Sequence, residues 1–572
     1  MDEYATRFVG IVSDGRMEAV DFQRARMSPT DIGETDCELL RLKFSSDTSL
    51  PTPSTSYLQA LNINDQQRNS FPPPPPPIYS LPTEVMIKIF QYYVEIERLP
   101  QRLASVSTTW AAIVMDSPTL WRYIDSNQPC EAYLNSLARS KGAPLVVEYS
   151  GSQWRLWRED SHAVTKDLKL FINAVCREVH RWQSASLAMD EDPRFRRAII
   201  DQLAHSPAPL LEKLEVSGTR VLGFGTIREL FNEVAPRLRH IKMTDICIPW
   251  ESGLFSGLRT LVVTGHSFTR PTVFQLARIM RDCPLLVELR IGCFSTPDEA
   301  DDTGQIRVQS IELLVMKTLS LELDPIALNF ILQAIHIPAC TRFHITSRIP
   351  TGSIFSGATD HLIPVLSSML LSADFIDIRL SATQFDYEAH HDKKNAQPLF
   401  SVSLDSLRNG QDASPSISLA WILDRIHPST PPIPVNLSVN AWGLPLNELF
   451  TSLRPYLVTT LSVRDDGRRN QDILQCLTLP TLLHGVSCWH LPRLRALSFE
   501  ECYGRISLNS ILSLVESRLG RSVSAEPFGR RELPVMLTKL YVSSDRKDPA
   551  NAEIIQRLTA VVDDVRHGLF LL

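Results

Sequence analysis

The stretch from Cys283 to Ile291 reads CPLLVELRI, and it shows the pattern that decides the fold. Leu286, Leu289 and Ile291 are apolar, whereas Arg290 between the last two is charged. Alternation of apolar and polar residues over a few positions predicts a short strand that buries one face. The stretch therefore predicts a strand centred on Leu289.

The same pattern, L-x-x-L-x-Φ with Φ apolar, recurs along the chain. Its clear copies are centred on Leu214, Ile241, Leu261, Leu289, Leu319, Leu497 and Leu540, and weaker copies lie at Phe343, Ile376, Leu437 and Leu461. The first five centres are 20 to 30 residues apart, close to the period of leucine-rich repeats. Later steps reach 36 and 43 residues, from Leu461 to Leu497 and from Leu497 to Leu540. The spacing predicts a repeat architecture that carries insertions.

Helical patterns lie between these strands, at 226–235 (TIRELFNEVA), 272–284 (TVFQLARIMRDCP) and 509–520 (NSILSLVESRLG). Strand and helix in alternation predict an α/β solenoid, in which the strands present one face to the helices and the other to a concave surface. Polar stretches such as 386–397 (DYEAHHDKKNAQ) read as insertions between repeats. We therefore expect an irregular, leucine-rich-repeat-like α/β solenoid over residues 128–572.

Residues 1–77 have the composition of a disordered tail followed by a linker. Positions 45–77 are rich in Ser, Thr, Pro, Asn and Gln and end in six prolines, Pro72–Pro77. Such a run forms polyproline II, a semi-rigid spacer. It could also serve as a ligand for a proline-binding domain, but no basic residue flanks it to orient such a ligand, so we favour the spacer.

Composition excludes several classes of function. The net charge is only −6 over 572 residues, and no basic stripe predicts nucleic-acid binding. No apolar run reaches the length of about 18–20 residues that a membrane helix needs, and the N-terminus lacks the apolar region of a signal peptide. The ten cysteines are scattered without a C-x-x-C pair, which is typical of reduced thiols in the cytoplasm or nucleus.

Candidate metal and catalytic groups have simpler interpretations. Cys488 and His490 with Cys502 lack the paired spacing of zinc ligands, and we read them as core or capping residues. The run His390–Asp392 reads as a solvated loop, and Gly265–Ser267 reads as a repeat turn because it lacks the second glycine of a nucleophile elbow. No phosphate-binding glycine motif occurs. We therefore expect no metal, no cofactor and no catalytic residue.

The segment Thr83–Ile96, TEVMIKIFQYYVEI, is apolar on too wide an arc for an ordinary surface helix. Nine of its fourteen positions are apolar, whereas one amphipathic stripe needs about half. One face carries Val85, Ile89, Tyr92 and Ile96, and the adjoining face carries Met86, Phe90 and Tyr93. The surrounding module is too short to cover both faces. A second protein is therefore expected to cover one of them.

A second helical pattern follows at Leu99–Met115, ends at Asp116-Ser117-Pro118 and leads to Trp121. From Ser80 to Ile124 the chain resembles the F-box, in the F-box-like form abundant in fungal protein families. The matching residues are Leu81-Pro82-Thr83-Glu84, Ile89-Phe90, Leu103, Val106, Trp110 and Ser117-Pro118-Thr119-Leu120-Trp121. The chain departs from the family at Ser107-Thr108-Thr109, where the family usually has cysteine and basic residues.

Downstream segments resemble the same family, so the resemblance covers roughly residues 78–572, whereas 1–77 match nothing. These segments are Tyr133–Leu145, Arg181-Trp182, Ala208–Leu214, Cys283–Leu289 and Val562–Leu569. The expected organisation is a tail and linker at 1–77, a small all-α F-box-like domain at 78–127 and the repeat-like region at 128–572.

The resemblance implies a non-catalytic substrate-receptor subunit of an SCF-type cullin–RING ubiquitin ligase. The F-box would dock on the Skp-family adaptor, and the repeats would bind a target protein that the sequence does not identify. The candidates for docking and for the F-box core are Leu81, Pro82, Val85, Ile89, Phe90, Val106 and Trp110. Among them we expect Leu81, Pro82 and Phe90 nearer the partner, and Trp110, with Trp121, nearer the core.

Two alternatives stay open from the sequence. The same fold could be a scaffold that assembles proteins without a ligase. It could also carry an enzyme site on its concave face, formed by residues that are distant in the chain.

Overall fold

The computed structural model describes residues 78, 81–150, 161–189, 193–218, 230–246, 248–265, 271–292, 310–348, 361–381, 384–392, 397–405, 433–440, 446–453, 457–464, 470–483, 486–500, 506–519, 534–542 and 549–567. The predicted tail at 1–77, Cys502 and most of the predicted turn Gly265–Ser267 lie outside these ranges. Residues from Leu81 to Leu572 form one compact unit, to which the elements below belong. Across the described ranges, no helix combines the length and apolar character needed to cross a membrane.

The fold is mixed α/β, with thirteen α-helices in the described residues. They are α1 Thr83–Glu97, α2 Pro100–Ala104, α3 Thr108–Asp116, α4 Cys130–Arg139, α5 Ser161–Cys176, α6 Pro193–Ala204, α7 Val273–Asp282, α8 Pro325–Ala334, α9 Ile363–Leu371, α10 Leu446–Leu453, α11 Asn470–Thr478, α12 Leu508–Arg518 and α13 Pro549–Thr559. The first three are joined to the remainder by a 3-10 turn at Pro118–Trp121, so the segment that resembles an F-box is helical.

Twenty-one strands accompany these helices in the described part of the chain. They are β1 Tyr123–Asp125, β2 Leu145–Ser150, β3 Trp182–Ala188, β4 Lys213–Ser217, β5 His240–Thr244, β6 Thr260–Thr264, β7 Glu288–Gly292, β8 Ile311–Glu312, β9 Thr318–Glu322, β10 Ile335–His336, β11 Arg342–Arg348, β12 Phe375–Leu380, β13 Gln384–His390, β14 Phe400–Asp405, β15 Pro434–Asn440, β16 Leu457–Arg464, β17 Thr481–Leu483, β18 Val486–Cys488, β19 Ala496–Glu500, β20 Lys539–Val542 and β21 Asp564–His567.

Seventeen of these strands form a single sheet. Its pairings follow the order β1, β2, β3, β4, β5, β6, β7, β9, β11, β14, β13, β12, β15, β16, β19, β20, β21. Neighbouring strands are parallel except where β13 runs antiparallel to both β12 and β14. Short pairs β8–β10 and β17–β18 stand outside it.

The predicted strand centres all lie on strands of this sheet and are buried. Leu214, Ile241, Leu261 and Leu289 pair in register across β4 to β7, so that they form one apolar row. The core also includes buried residues of the helices, such as Leu276 of α7. Because a fully buried leucine contributes about 1.5–3 kcal/mol relative to an exposed one, this row is a major source of stability.

The helical predictions at 272–284 and 509–520 are confirmed as α7 and α12. Thr272 and Gln275 form a capping box at the start of α7, each side chain bonding to the other's backbone N–H. The prediction at 226–235 fails in its described part, where only the 3-10 turn Phe231–Glu233 forms. Positive φ values at Phe231, Asn232 and Glu233 prevent an α-helix from continuing there.

The interpretation of 386–397 as a polar insertion is wrong for its first half, because Asp386–His390 belongs to β13. Strands β12, β13 and β14 form an antiparallel meander, with β13 in the middle. Strand β11 pairs with β14 and not with β12, the next strand in the chain. Phe385, Tyr387 and Ala389 are buried in the core. The polar residues Asp386, Glu388 and His390 therefore form one face of a strand.

A buried arginine holds the connection between α4 and β2 in place. The Arg181 side chain is only 8 % exposed, and its Nε donates to Glu178 at 2.8 Å. Its Nη1 donates to the Ser140 hydroxyl at 2.9 Å and to the Ala143 carbonyl at 3.2 Å. Because these acceptors follow α4 and precede β2, Arg181 ties the connection between α4 and β2 to the start of β3.

We expect Arg181→Met to destabilise the protein by about 1–3 kcal/mol, because Ser140 and Ala143 lose a buried donor. Urea unfolding of the full chain followed by circular dichroism measures the change. Arg177→Met, at an exposed position four residues earlier, is the matched control. Equal unfolding midpoints for the two variants would contradict this role for Arg181.

Candidate functional site

The helical module, residues 81–121, begins at a proline that fixes the first turn of α1. Pro82 lies at the N-cap with φ −56°, and its carbonyl accepts from the backbone N–H groups of Val85 and Met86. The helix ends at Arg98, whose φ of 61° is left-handed and stops the helix. The fifteen residues between them form an uninterrupted helix.

The inner side of α1 packs on the two helices that follow. Met86, Phe90 and Val94 are buried together with residues of α2, α3 and the 3-10 turn. The Phe90 and Trp110 rings lie 4.6 Å apart. Trp121 is fully buried, and its indole N–H donates to the Val114 carbonyl at 2.8 Å. These contacts make a small aromatic core.

The departure from the family pattern at Ser107-Thr108-Thr109 has a local structural role. Ser107 is the N-cap of α3, and its hydroxyl accepts from the Trp110 backbone N–H at 3.2 Å. Serine is among the best residues for this position because it satisfies a backbone donor that the helix leaves unpaired. Ser107, where the family usually has another residue, therefore still supports the start of α3.

The outer side of α1 is apolar and uncovered. We call it the exposed apolar stripe: Leu81, Val85, Ile89, Tyr92 and Ile96, which are 38, 40, 44, 70 and 61 % exposed. Steps of three and four residues place Val85, Ile89, Tyr92 and Ile96 on one side of α1, and Leu81 lies just before its N-cap. Val106, between α2 and α3, is a further exposed apolar residue, 57 % exposed. Large exposed apolar patches on soluble proteins are typical of interaction sites.

The structure divides the seven predicted docking and core residues into two groups. Leu81, Pro82, Val85, Ile89 and Val106 are exposed. Phe90 is 1 % exposed and belongs to the core, so its expected place near the partner is wrong. Trp110 is half-buried against Phe90, and Trp121 is in the core as expected. The reason is geometric, since Phe90 follows Ile89 and is rotated from it by about 100° around the helix axis, onto the adjoining face that packs inward.

Sequence reasoning did not include Tyr92 and Ile96 among the docking residues, although they are the most exposed members of the stripe. The signal was present, because they share the spacing of Val85 and Ile89. Met115, 41 % exposed at the end of α3, is another exposed apolar residue of the module. A single residue at a helix end carries no periodic pattern from which to find it.

Arg98 fastens the helical module to the sheet. Its Nη2 pairs with the Glu148 carboxylate on β2 at 2.6 Å. The guanidinium also lies over the Tyr123 ring, 4.5 Å from its centre, and Gln128 donates to the Arg98 carbonyl at 3.0 Å. Both charged side chains are partly exposed, so the ion pair adds little stability. Together the contacts orient α1 relative to the first strands.

Residues 78–127 match the family described as F-box-like. The match contains α1, α2, α3, the 3-10 turn and β1, and therefore the whole exposed apolar stripe. A search of the curated proteins finds no match for the chain. The protein thus contains an F-box-like domain, the class of domain associated with adaptor binding in SCF-type ubiquitin ligases.

We expect Ser107→Ala to weaken the start of α3 by about 1 kcal/mol, because the Trp110 N–H loses its acceptor. Hydrogen exchange of peptides covering 107–116 in the full chain should be about fivefold faster, since 1.4 kcal/mol corresponds to a factor of about ten. Thr109→Ala, an exposed residue two positions on, is the control. Identical exchange in both variants would refute the capping role.

Proposed function

We propose that this protein is a substrate-receptor subunit of an SCF-type cullin–RING ubiquitin ligase. The observation that carries the proposal is an exposed apolar stripe on a helix that lies within an F-box-like match. The F-box-like domain, assigned here to residues 78–127, docks on the Skp-family adaptor. The protein contributes no catalytic residue, and it acts in the cytoplasm or nucleus.

Adaptor docking through the stripe follows from its shape and composition. Leu81, Val85 and Ile89 are exposed apolar residues spaced four positions apart, and Tyr92 adds an aromatic residue that is 70 % exposed. Helices that dock in apolar grooves present anchors at this spacing, and a few anchors supply most of the affinity. Pro82 and Val106 extend the same contact.

The region from 128 to 572 would hold the target protein as an irregular, leucine-rich-repeat-like α/β solenoid. Its parallel strands present polar residues on the face opposite the apolar row. Across β4 to β7 this face forms a cleft of about 390 Å³. The charged and polar side chains that line it are Lys213, Glu215, His240, Lys242, Glu288 and Arg290. A target held there would be close to the ubiquitin-charged enzyme, which raises its effective concentration.

Serine substitution of two stripe residues tests adaptor docking. Val85→Ser with Ile89→Ser removes two anchors but leaves the buried side of α1 intact. We expect adaptor affinity to fall by about 30-fold or more, the equivalent of about 2 kcal/mol. Titration of the purified adaptor with the full chain measures this loss, and Leu81→Ala with Pro82→Ala should act in the same direction.

The control for this experiment is Leu314→Ser with Leu371→Ser. These leucines are 54 and 57 % exposed and lie outside the helical module. The control should bind the adaptor like the unmodified chain. Phe90→Ala is unsuitable, because it disrupts the module core. If the stripe variant keeps its circular dichroism and still binds normally, the docking assignment fails.

The alternative function is a scaffold that also binds the adaptor but does not assemble a ubiquitin ligase. Affinity capture of the full chain from cells separates the two: we expect recovery of both adaptor and cullin, and loss of both from the Val85/Ile89 variant. Recovery of the adaptor without cullin would instead favour the scaffold.

A further inference from the structure

Strand β13 brings together three side chains that could bind a metal. Asp377 on β12 and Glu388 on β13 are directly opposite in the antiparallel pairing, and His390 lies two residues along β13 on the same face. One ligand atom from each lies within 4.8 Å of the other two. We propose that Asp377, Glu388 and His390 form a zinc-binding site on the polar face of the sheet.

The His390 imidazole directs its Nε2 atom toward the two carboxylates. The His390 side chain is 9 % exposed, and its Nε2 lies 3.3 Å from Glu388 Oε2 and 3.9 Å from Asp377 Oδ2. Among the described residues, Nε2 has no polar contact other than these two carboxylates. Ligands at about 2.1 Å from a tetrahedral zinc ion are about 3.4 Å apart. The two separations between His390 Nε2 and the carboxylate oxygens are close to this value.

Neighbouring residues hold the ligands in place. Asn436 on β15 donates to Asp377 Oδ1 at 2.8 Å, which leaves Oδ2 directed at His390. The Phe375 ring stacks on the imidazole, with 4.9 Å between centres and 8° between planes. Supporting contacts of this kind are typical of metal sites, where they fix ligand orientation.

The charges also favour a cation. Like charges directly opposite in a strand pair destabilise it, and Asp377 faces Glu388. Arg379 offsets part of this charge at 3.5 Å from Glu388, but its side chain is 57 % exposed and it has no ion pair with Asp377 in the described structure. By contrast, Asp386 on the same strand receives hydrogen bonds from Ser403 and Gln384. A bound cation would therefore reduce the repulsion between the facing carboxylates of Asp377 and Glu388.

The donor set points to zinc rather than magnesium or calcium. Those two ions prefer oxygen ligands alone, whereas zinc binds imidazole and carboxylate together. Three protein ligands leave one position for water or another donor. Asp377 and Glu388 are 29 and 26 % exposed, so the site is open to solvent on one side.

Metal analysis of the full chain tests the site. The protein is produced with a tag that lacks histidine, incubated with zinc and dialysed, and its zinc content is measured by mass spectrometry. We expect one zinc ion per chain, lost in His390→Gln and in the near-isosteric Asp377→Asn. Asn436→Ala should weaken zinc binding by about 10- to 100-fold, as expected for a supporting residue.

His391→Gln is the matched control, because His391 is adjacent but 69 % exposed and bonded to the Ser372 carbonyl. It should retain zinc fully. Cobalt should replace zinc and give the visible absorption of a tetrahedral site, which His390→Gln should abolish. Absence of zinc from the unmodified chain, or equal zinc in His390→Gln, would overturn the site. Adaptor binding by His390→Gln should be unchanged, so the two proposals can fail separately.

Discussion

One apolar row runs through the large sheet, and most of the described structure depends on it. Each strand from β4 to β7 places a buried aliphatic residue at the same level, in register with its neighbours. A shift of one residue would turn that side chain to the polar face and expose it. Burial therefore specifies the register of these strands, and the opposite face is left free to carry polar residues.

The helical module has a different constraint, because it is too small to bury every apolar residue it contains. Phe90, Trp121 and their neighbours fill its interior. Val85, Ile89 and Tyr92 lie outside, where they gain burial only from another protein. Natural monomers rarely leave such surface uncovered without a reason. The F-box-like match to this segment implies that the other protein is an adaptor of the Skp family.

The strands could be predicted because their pattern is local. Leu289 and its counterparts alternate with polar neighbours over five or six residues, and period two needs no knowledge of partners. Strand β13 escaped prediction because Asp386, Glu388 and His390 give it the composition of a loop. What makes it a strand is pairing with β12 and β14, whose residues are recruited from other parts of the chain.

The sequence by itself determined where the strands of the repeated pattern and the helices α7 and α12 form, that the N-terminal helix is apolar on two sides, and that it resembles an F-box. Tertiary structure alone decided which of those sides faces inward, since Phe90 and Ile89 are adjacent and equally apolar. It alone brought His390 beside Asp377, because a cross-strand contact depends on pairing and not on distance along the chain. Periodicity is a property of one segment, whereas burial and proximity are properties of segments packed together.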